Sequence, residues 1–116
     1  VRVLVCGAGG FIGSHLVRAL KRGGHWVRGA DLHLPEYDES PADEFAVVDL
    51  RNYDKCLEVT KGVDYVYNLA ADMGGIGYIT TRLADITHND TLIRVNMLEA
   101  ARVKKVERFL FSSSAS

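Results

Sequence analysis

Hydrophobic and polar positions along the chain switch between two periods. Arg2-Val3-Leu4-Val5-Cys6 is an apolar, β-branched run that breaks at Gly7 and predicts a buried strand. From Phe11 the period becomes helical, with Ile12, Leu16, Ala19 and Leu20 at i, i+4, i+7 and i+8 predicting one packed face. Gly23-Gly24 ends that helix, because glycine enters the left-handed capping conformation without a Cβ clash. Trp26 to Asp31 is a second strand, His33 to Asp43 a proline-bearing acidic loop, and Glu44 to Asp49 a third strand. A short helix over Asn52 to Lys61 is capped near Gly62, and Asp64 to Ala71 is a fourth strand running into a small-residue turn. Met73 to Tyr78 is too rich in glycine to be regular. A long helix from Leu83 to Lys104 inclines Ile86, Leu92, Ile93, Asn96, Met97 and Ala100 to one side, and Arg108 to Phe111 is a fifth strand. Strands alternating with helices predict a doubly wound α/β domain, a parallel sheet covered on both faces.

Composition narrows the function classes. The chain has 116 residues, 47% apolar and 25% charged, and a formal net charge of −1, which excludes a disordered polymer. A balanced charge supplies no field for nucleic acid or for an anionic membrane, so neither is an expected partner. No apolar stretch approaches the ~18–20 residues of a membrane span. Cys6 and Cys56 have no nearby Cys or His at zinc spacing and read as buried thiols of a reducing cytoplasm. His15, His25, His33 and His88 are scattered, so no metal site is expected.

The chemistry begins at Gly7-Ala8-Gly9-Gly10-Phe11-Ile12-Gly13, between the first strand and the first helix. Gly7 allows a sharp turn, the middle glycines let backbone N–H groups approach a pyrophosphate, and Gly13 brings the helix close to the sheet. The helix N-terminus then faces the phosphate charge. Asp31, at the end of the second strand, is placed to accept hydrogen bonds from an adenosine ribose and to repel a 2′-phosphate. Leu32 and His33 follow it, with no Arg to accept that phosphate, which favours NAD over NADP. Asp49-Leu50 closes the third strand beside the expected adenine, although Asp49 alone also reads as a helix N-cap before Asn52.

The glycine loop, Asp31, Asp49-Leu50, Asn68-Leu69-Ala70-Ala71 and Phe111-Ser112-Ser113-Ser114-Ala115 together resemble the N-terminal part of an extended short-chain dehydrogenase/reductase of the NAD-dependent epimerase/dehydratase type. Within that group, Asn68 to Tyr78, with its Asp72-Met73-Gly74-Gly75 run, and Asn96 to Arg102 resemble the GDP-mannose 3,5-epimerase family. The resemblance implies a Rossmann-type sheet in the order 3-2-1-4-5. It implies NAD held by Gly7, Gly10, Phe11, Ile12, Gly13, Asp31, Asp49, Leu50, Leu69, Ala70 and Ala71, and a nucleotide-sugar lined by Gly74, Gly75 and Ser114. Ser114 matches the active-site serine, and Ser116 stands at the position of a catalytic Cys. The implied reaction is epimerisation through a transient 4-keto sugar, and the implied assembly is a homodimer through the long helix.

Cys6 replaces a usual Thr and Asp90 a frequent Asn. Ser116 is the departure that bears on chemistry, since a hydroxyl is a poor general acid or base near neutral pH. The superfamily's base is a Tyr with Lys four residues later. The residues four places after Tyr37, Tyr53, Tyr65, Tyr67 and Tyr78 are Pro41, Leu57, Leu69, Ala71 and Arg82. Residues 1–116 are therefore expected to be one NAD-binding domain of a longer enzyme, inactive without its Tyr-x-x-x-Lys helix and substrate domain. Another NAD-dependent epimerase, a 4,6-dehydratase and a non-catalytic NAD sensor or scaffold stay open as alternatives.

Overall fold

Strand β1 (Arg2–Cys6) is apolar at every position after Arg2 because both of its faces are covered. Val3 and Val5 point to one side of the sheet, packing with Ala8, Val17 and Val27. Leu4 and Cys6 point to the other, packing with Ala30, Val66, Ile93 and Met97. The period of two along a strand makes that division, and burial on both sides removes the alternation an exposed face would impose.

The computed structural model describes residues 1–32, 41–69 and 82–111, with the backbone alone for 82–91 and 111. Around β1 it places α1 (Phe11–Arg22), β2 (Trp26–Asp31), β3 (Glu44–Val47), α2 (Tyr53–Thr60), β4 (Tyr65–Asn68), α3 (Arg82–Val103) and β5 (Arg108–Phe111). The strands form one sheet in the order β3-β2-β1-β4-β5, and every pairing is parallel. Helix α1 covers one face, while α2 and α3 cover the other. The doubly wound α/β reading and its strand order are the observed fold.

The helix boundaries lie within a residue of the expected ones, but the packed stripe of α1 does not. Ile12 is 71% exposed and Ala19 is also on the solvent side. The stripe on the sheet is Gly13, Leu16, Val17 and Leu20. Helical spacing counted from Ile12 is turned by one residue because the point of closest approach is Gly13, which carries no apolar side chain. A Cβ built there would lie 2.0 Å from the Gly7 carbonyl oxygen and 3.0 Å from the Ala8 Cα, so the helix sits where only hydrogen fits.

Two further boundaries differ. β3 ends at Val47 rather than Asp49, because Val48 N–H still bonds the Asp31 carbonyl at 2.9 Å but the chain then turns toward α2. β4 is four residues long, Tyr65–Asn68, and the expected continuation through Ala70 and Ala71 lies outside the described residues. At the end of α1, Gly24 rather than Gly23 carries the left-handed conformation, with φ of 85°.

The chain returning to β3 is fastened by one carboxylate. Asp43 accepts from Lys21 Nζ at 2.8 Å and from Val27 N–H at 2.8 Å, which ties the end of α1 to β2. Lys21 Nζ also donates to the His25 carbonyl at 3.1 Å. The Lys21 ammonium first, and the Val27 N–H second, hold the Asp43 carboxyl below the usual carboxylate range. Stability from this group is present above its unfolded value, roughly pH 4, and is lost as pH falls through the lower folded value. Asp43→Asn is expected to lower the urea midpoint at pH 7 and to flatten the loss of stability on acidification below about pH 4. Urea titrations at a series of pH values check this, and parallel curves for the two proteins would contradict it.

Candidate functional site

All the parallel strands end on one edge, so the turns that follow them cluster there. Cys6 pairs with Ala30 of β2 and with Asn68 of β4, and Asp31 pairs with Val47 of β3. From β1 the chain moves outward through β2 and β3 on one side, then through β4 and β5 on the other. That reversal opens a crevice beyond the ends of β1 and β4, where open parallel sheets receive ligands. Gly7, Asp31 and Leu69 come together around it. Leu69 is held there by its N–H to the Cys6 carbonyl at 2.9 Å.

The β1–α1 turn is pinned to β2 from both ends. Gly7 has φ of 84°, a left-handed conformation that a side chain would strain. Its N–H meets the Ala30 carbonyl at 2.7 Å, and the Gly10 N–H closes the turn on the Gly7 carbonyl at 3.1 Å. Gly9 N–H donates to Asp31 Oδ2 at 2.8 Å. Ser14 Oγ reaches back to the Ala8 carbonyl at 3.1 Å. Ala8 is buried over Gly29, where a Cβ would come within 2.9 Å of both the Ala8 methyl and the Phe45 ring. Gly29 and Ser14 are therefore part of the turn's support. Sequence reading passed over them because neither lies in the glycine motif, and only the crossing of β2 beneath the turn gives them a role.

The two short helices begin in opposite ways. α2 has Asn52 as its cap, accepting from Asp54 N–H at 3.0 Å, with Asp54 in its first turn. α1 starts at Gly10 with no side-chain cap and no acidic residue in its first turn. Among the described residues no side chain takes up its leading N–H groups, an arrangement that, with the positive end of the helix dipole, fits an anion. Gly10 fits the same reading. A Cβ there would meet, among the described residues, only the Gly7 carbonyl at an ordinary 3.5 Å, so the fold itself tolerates a side chain at this position. Among the described residues, the space beside Gly10 is open enough to fit close approach of a ligand. Phe11 and Ile12, 81% and 71% exposed, flank the opening. The residues present fit a dinucleotide pyrophosphate at the glycine turn, with an acid, Asp31, at the neighbouring strand end.

Asp49 and Leu50 form the next turn along this edge. Asp49 is not the cap of α2, which is Asn52. Its carboxylate instead accepts from Arg51 through the backbone N–H at 3.0 Å, Nε at 3.0 Å and Nη2 at 2.7 Å. The Arg51 guanidinium holds the Asp49 carboxyl below its ordinary range. The Leu50 side chain is buried in the core beneath α2 and α3, so what it presents at the edge is backbone. Cys56 Sγ donates to the Leu50 carbonyl at 3.1 Å, and its thiol is pushed up to about 12, chiefly by burial. Burial raises the Cys6 thiol still further. Both cysteines are packing groups and not nucleophiles. Ala70, Ala71, Gly74, Gly75, Ser114 and Ser116 lie outside the described residues.

Comparison with known proteins bears on the same elements. Residues 3–116 match the model of the NAD dependent epimerase/dehydratase family. GDP-mannose 3,5-epimerase 1 of Oryza sativa subsp. japonica is 50% identical over 117 residues, covering 99% of this chain and 31% of its own length. A UDP-glucose 4-epimerase structure superimposes with a TM-score of 0.85 at 29% identity, covering 99% of this chain and 36% of that one. MoeE5 in complex with UDP-glucuronic acid and NAD gives 0.84 at 32% identity, covering 100% and 38%. The chain spans about a third of the length of the curated relatives it matches. With a matched model over nearly every residue and the expected sheet order, the chain belongs to the NAD dependent epimerase/dehydratase family.

Proposed function

We propose that this chain is the NAD-binding part of a longer nucleotide-sugar epimerase of the GDP-mannose 3,5-epimerase type. The observation that carries the cofactor half is the uncapped N-terminus of α1 behind a glycine turn that Asp31 fastens through Gly9. The sugar half is supported by the 50% identity to a GDP-mannose 3,5-epimerase. Gly7, Gly10, Phe11, Ile12 and Gly13 would receive the pyrophosphate, Asp31 the adenosine ribose, Asp49 and Leu50 the adenine, and Leu69, Ala70 and Ala71 the length of the cofactor. Gly74, Gly75 and Ser114 would line the sugar, and Ser114 would hydrogen-bond the hydroxyl that reacts. When bound, NAD supplies reversible uptake of hydride from the sugar ring. The chain's own residues orient it, and the proton-transferring Tyr-x-x-x-Lys pair is proposed to follow residue 116, so residues 1–116 alone are expected to show no turnover.

A same-fold reading, 4-epimerisation or 4,6-dehydration of another nucleotide-sugar, is favoured by one residue. Ser116 offers a hydroxyl where a 3,5-epimerase of this type needs an acid/base side chain. Assembly as a homodimer through α3 is supported by Val95 and Leu98, one helical turn apart and exposed at 55% and 43%. Location in the cytoplasm fits the two free, buried cysteines.

Gly10→Val is expected to weaken NAD binding by at least ~100-fold, about 2.8 kcal/mol, by filling the space the pyrophosphate needs. Stability should fall by no more than about 1 kcal/mol, the scale of a poorer helix cap. Calorimetric titration beside a denaturant curve tests both, and unchanged affinity in the folded variant would refute the placement.

Asp31 sets the second expectation. NAD should bind more tightly than NADP, and Asp31→Ala should narrow the gap while weakening NAD, since the Gly9 N–H loses its acceptor. Parallel titrations in which the unaltered protein prefers NADP would overturn this.

The third concerns Ser116 in the full-length protein. General acid–base groups contribute roughly 10²–10⁴-fold, so with GDP-mannose in heavy water deuterium should enter slowly at C3 or C5. Ser116→Cys should accelerate it. Fast exchange at both carbons in the unaltered protein would mean that another residue supplies the proton.

A further inference from the structure

The turn after β3 is gripped from across the sheet by one side chain on α3. Asn96 donates through Nδ2 to the Leu50 carbonyl at 3.2 Å and to the Arg51 carbonyl at 3.0 Å. Both amide hydrogens are used on consecutive carbonyls of a segment 45 residues earlier in the chain. The Leu50 carbonyl accepts from the Cys56 thiol as well, and the Asp49 carbonyl accepts the Asn52 N–H at 3.0 Å. Below Asn96 on the same helix, Ile93, Met97 and Ala100 are buried in the core that contains Leu50. A helix that needed only packing would carry an apolar residue at 96. An amide here has a backbone to hold.

We infer that Asn96 is a positioning residue that fixes the Asp49–Arg51 turn for the adenine end of the cofactor. The inference rests on the proposed placement of Asp49 and Leu50 beside the adenine. Asn96 does not touch the ligand in this account. It sets the height of the Leu50 and Arg51 carbonyls at the sheet edge, and with them the direction of the Asp49 carboxylate, whose partners among the described residues all belong to Arg51. Ile93, Met97 and Ala100 of α3 share one core cluster with Val66 of β4 and Leu50, so the turn after β3 and strand β4 are registered against one helix.

The test separates the two ends of the cofactor. Full-length protein carrying Asn96→Ala, Asn96→Asp or Asn96→Ser is titrated with NAD and with nicotinamide mononucleotide, which lacks the adenosine. Without its two hydrogen bonds the turn is no longer held in place before NAD arrives, and the cost of ordering it on binding predicts roughly tenfold weaker NAD binding for Asn96→Ala. Asn96→Asp, which turns acceptor oxygens toward two carbonyls, should weaken NAD more, and Asn96→Ser, which keeps one donor, should weaken it less. Nicotinamide mononucleotide should bind all of them as it binds the unaltered protein, which also reports that they are folded. Equal loss of both ligands, or a lower denaturation midpoint with unchanged NAD affinity, would overturn the inference and leave Asn96 a purely structural residue. Asp49→Asn is run in parallel. If it selectively weakens NAD while the Asn96 variants do not, the inference alone fails. If neither acts, the adenine placement fails with it.

Discussion

No side chain fits between residue 13 and the Gly7 carbonyl, and the rest of the site follows from that contact. With a hydrogen at Gly13, the first turn of α1 rests directly on the β1–α1 turn, so the helix starts at the carboxyl end of the central strand and runs back over the sheet face. Its N-terminal N–H groups and dipole are thereby aimed at the carboxyl edge of the sheet, beside the point where the strand order reverses. Any larger residue would lift the helix away from the sheet and turn the same N–H groups elsewhere. Overpacking of this kind costs about 1–3 kcal/mol or more, a large part of a domain's net stability.

Around that contact the structure adds supports that face inward from neighbouring strands. Gly29 of β2 makes room for Ala8, the Ala30 carbonyl receives Gly7, and the Asp31 carboxylate receives Gly9. Three successive residues of one strand thus hold three residues of the turn. Asp31 has two tasks in this account, since the carboxylate that steadies the glycine turn is also the acid proposed for the ribose. The turn after β3 is built on a different plan. Its carboxylate is occupied by Arg51, and its carbonyls are held by a thiol and by an amide from a helix on the far side of the sequence.

What could be read from the sequence was local. β1 announces itself by an unbroken apolar run, α1 by its period, and the glycine turn by spacing that only a strand-to-helix junction explains. Asp31 is legible because it stands at a strand end, at the right distance beyond the glycines. The packed stripe of α1 was misplaced by one residue because its contact centre is a glycine, which hydrophobic periodicity does not count. Asp49 could not be resolved between strand end and helix cap, since both readings place an acid before Asn52. Its real partner, Arg51, is two residues away. Ser14, Gly29 and Asn96 carry no local signal at all. Each acquires its role from a segment brought beside it by the crossover topology, and Asn96 reads from sequence as one more member of an apolar helix face.

The central claim is that the glycine turn and the start of α1 form the phosphate end of a dinucleotide site. Backbone amide spectra of the isotope-labelled full-length protein, recorded during titration with NAD, test it most directly. The account predicts that the largest shifts and the strongest protection from hydrogen exchange fall on Gly9, Gly10, Phe11, Ile12 and Gly13. Amides at the opposite edge of the sheet, such as Arg2, Trp26 and Asp64, should hold their positions. Saturable NAD binding that leaves the first turn of α1 unmoved, or that shifts the opposite edge instead, would contradict it.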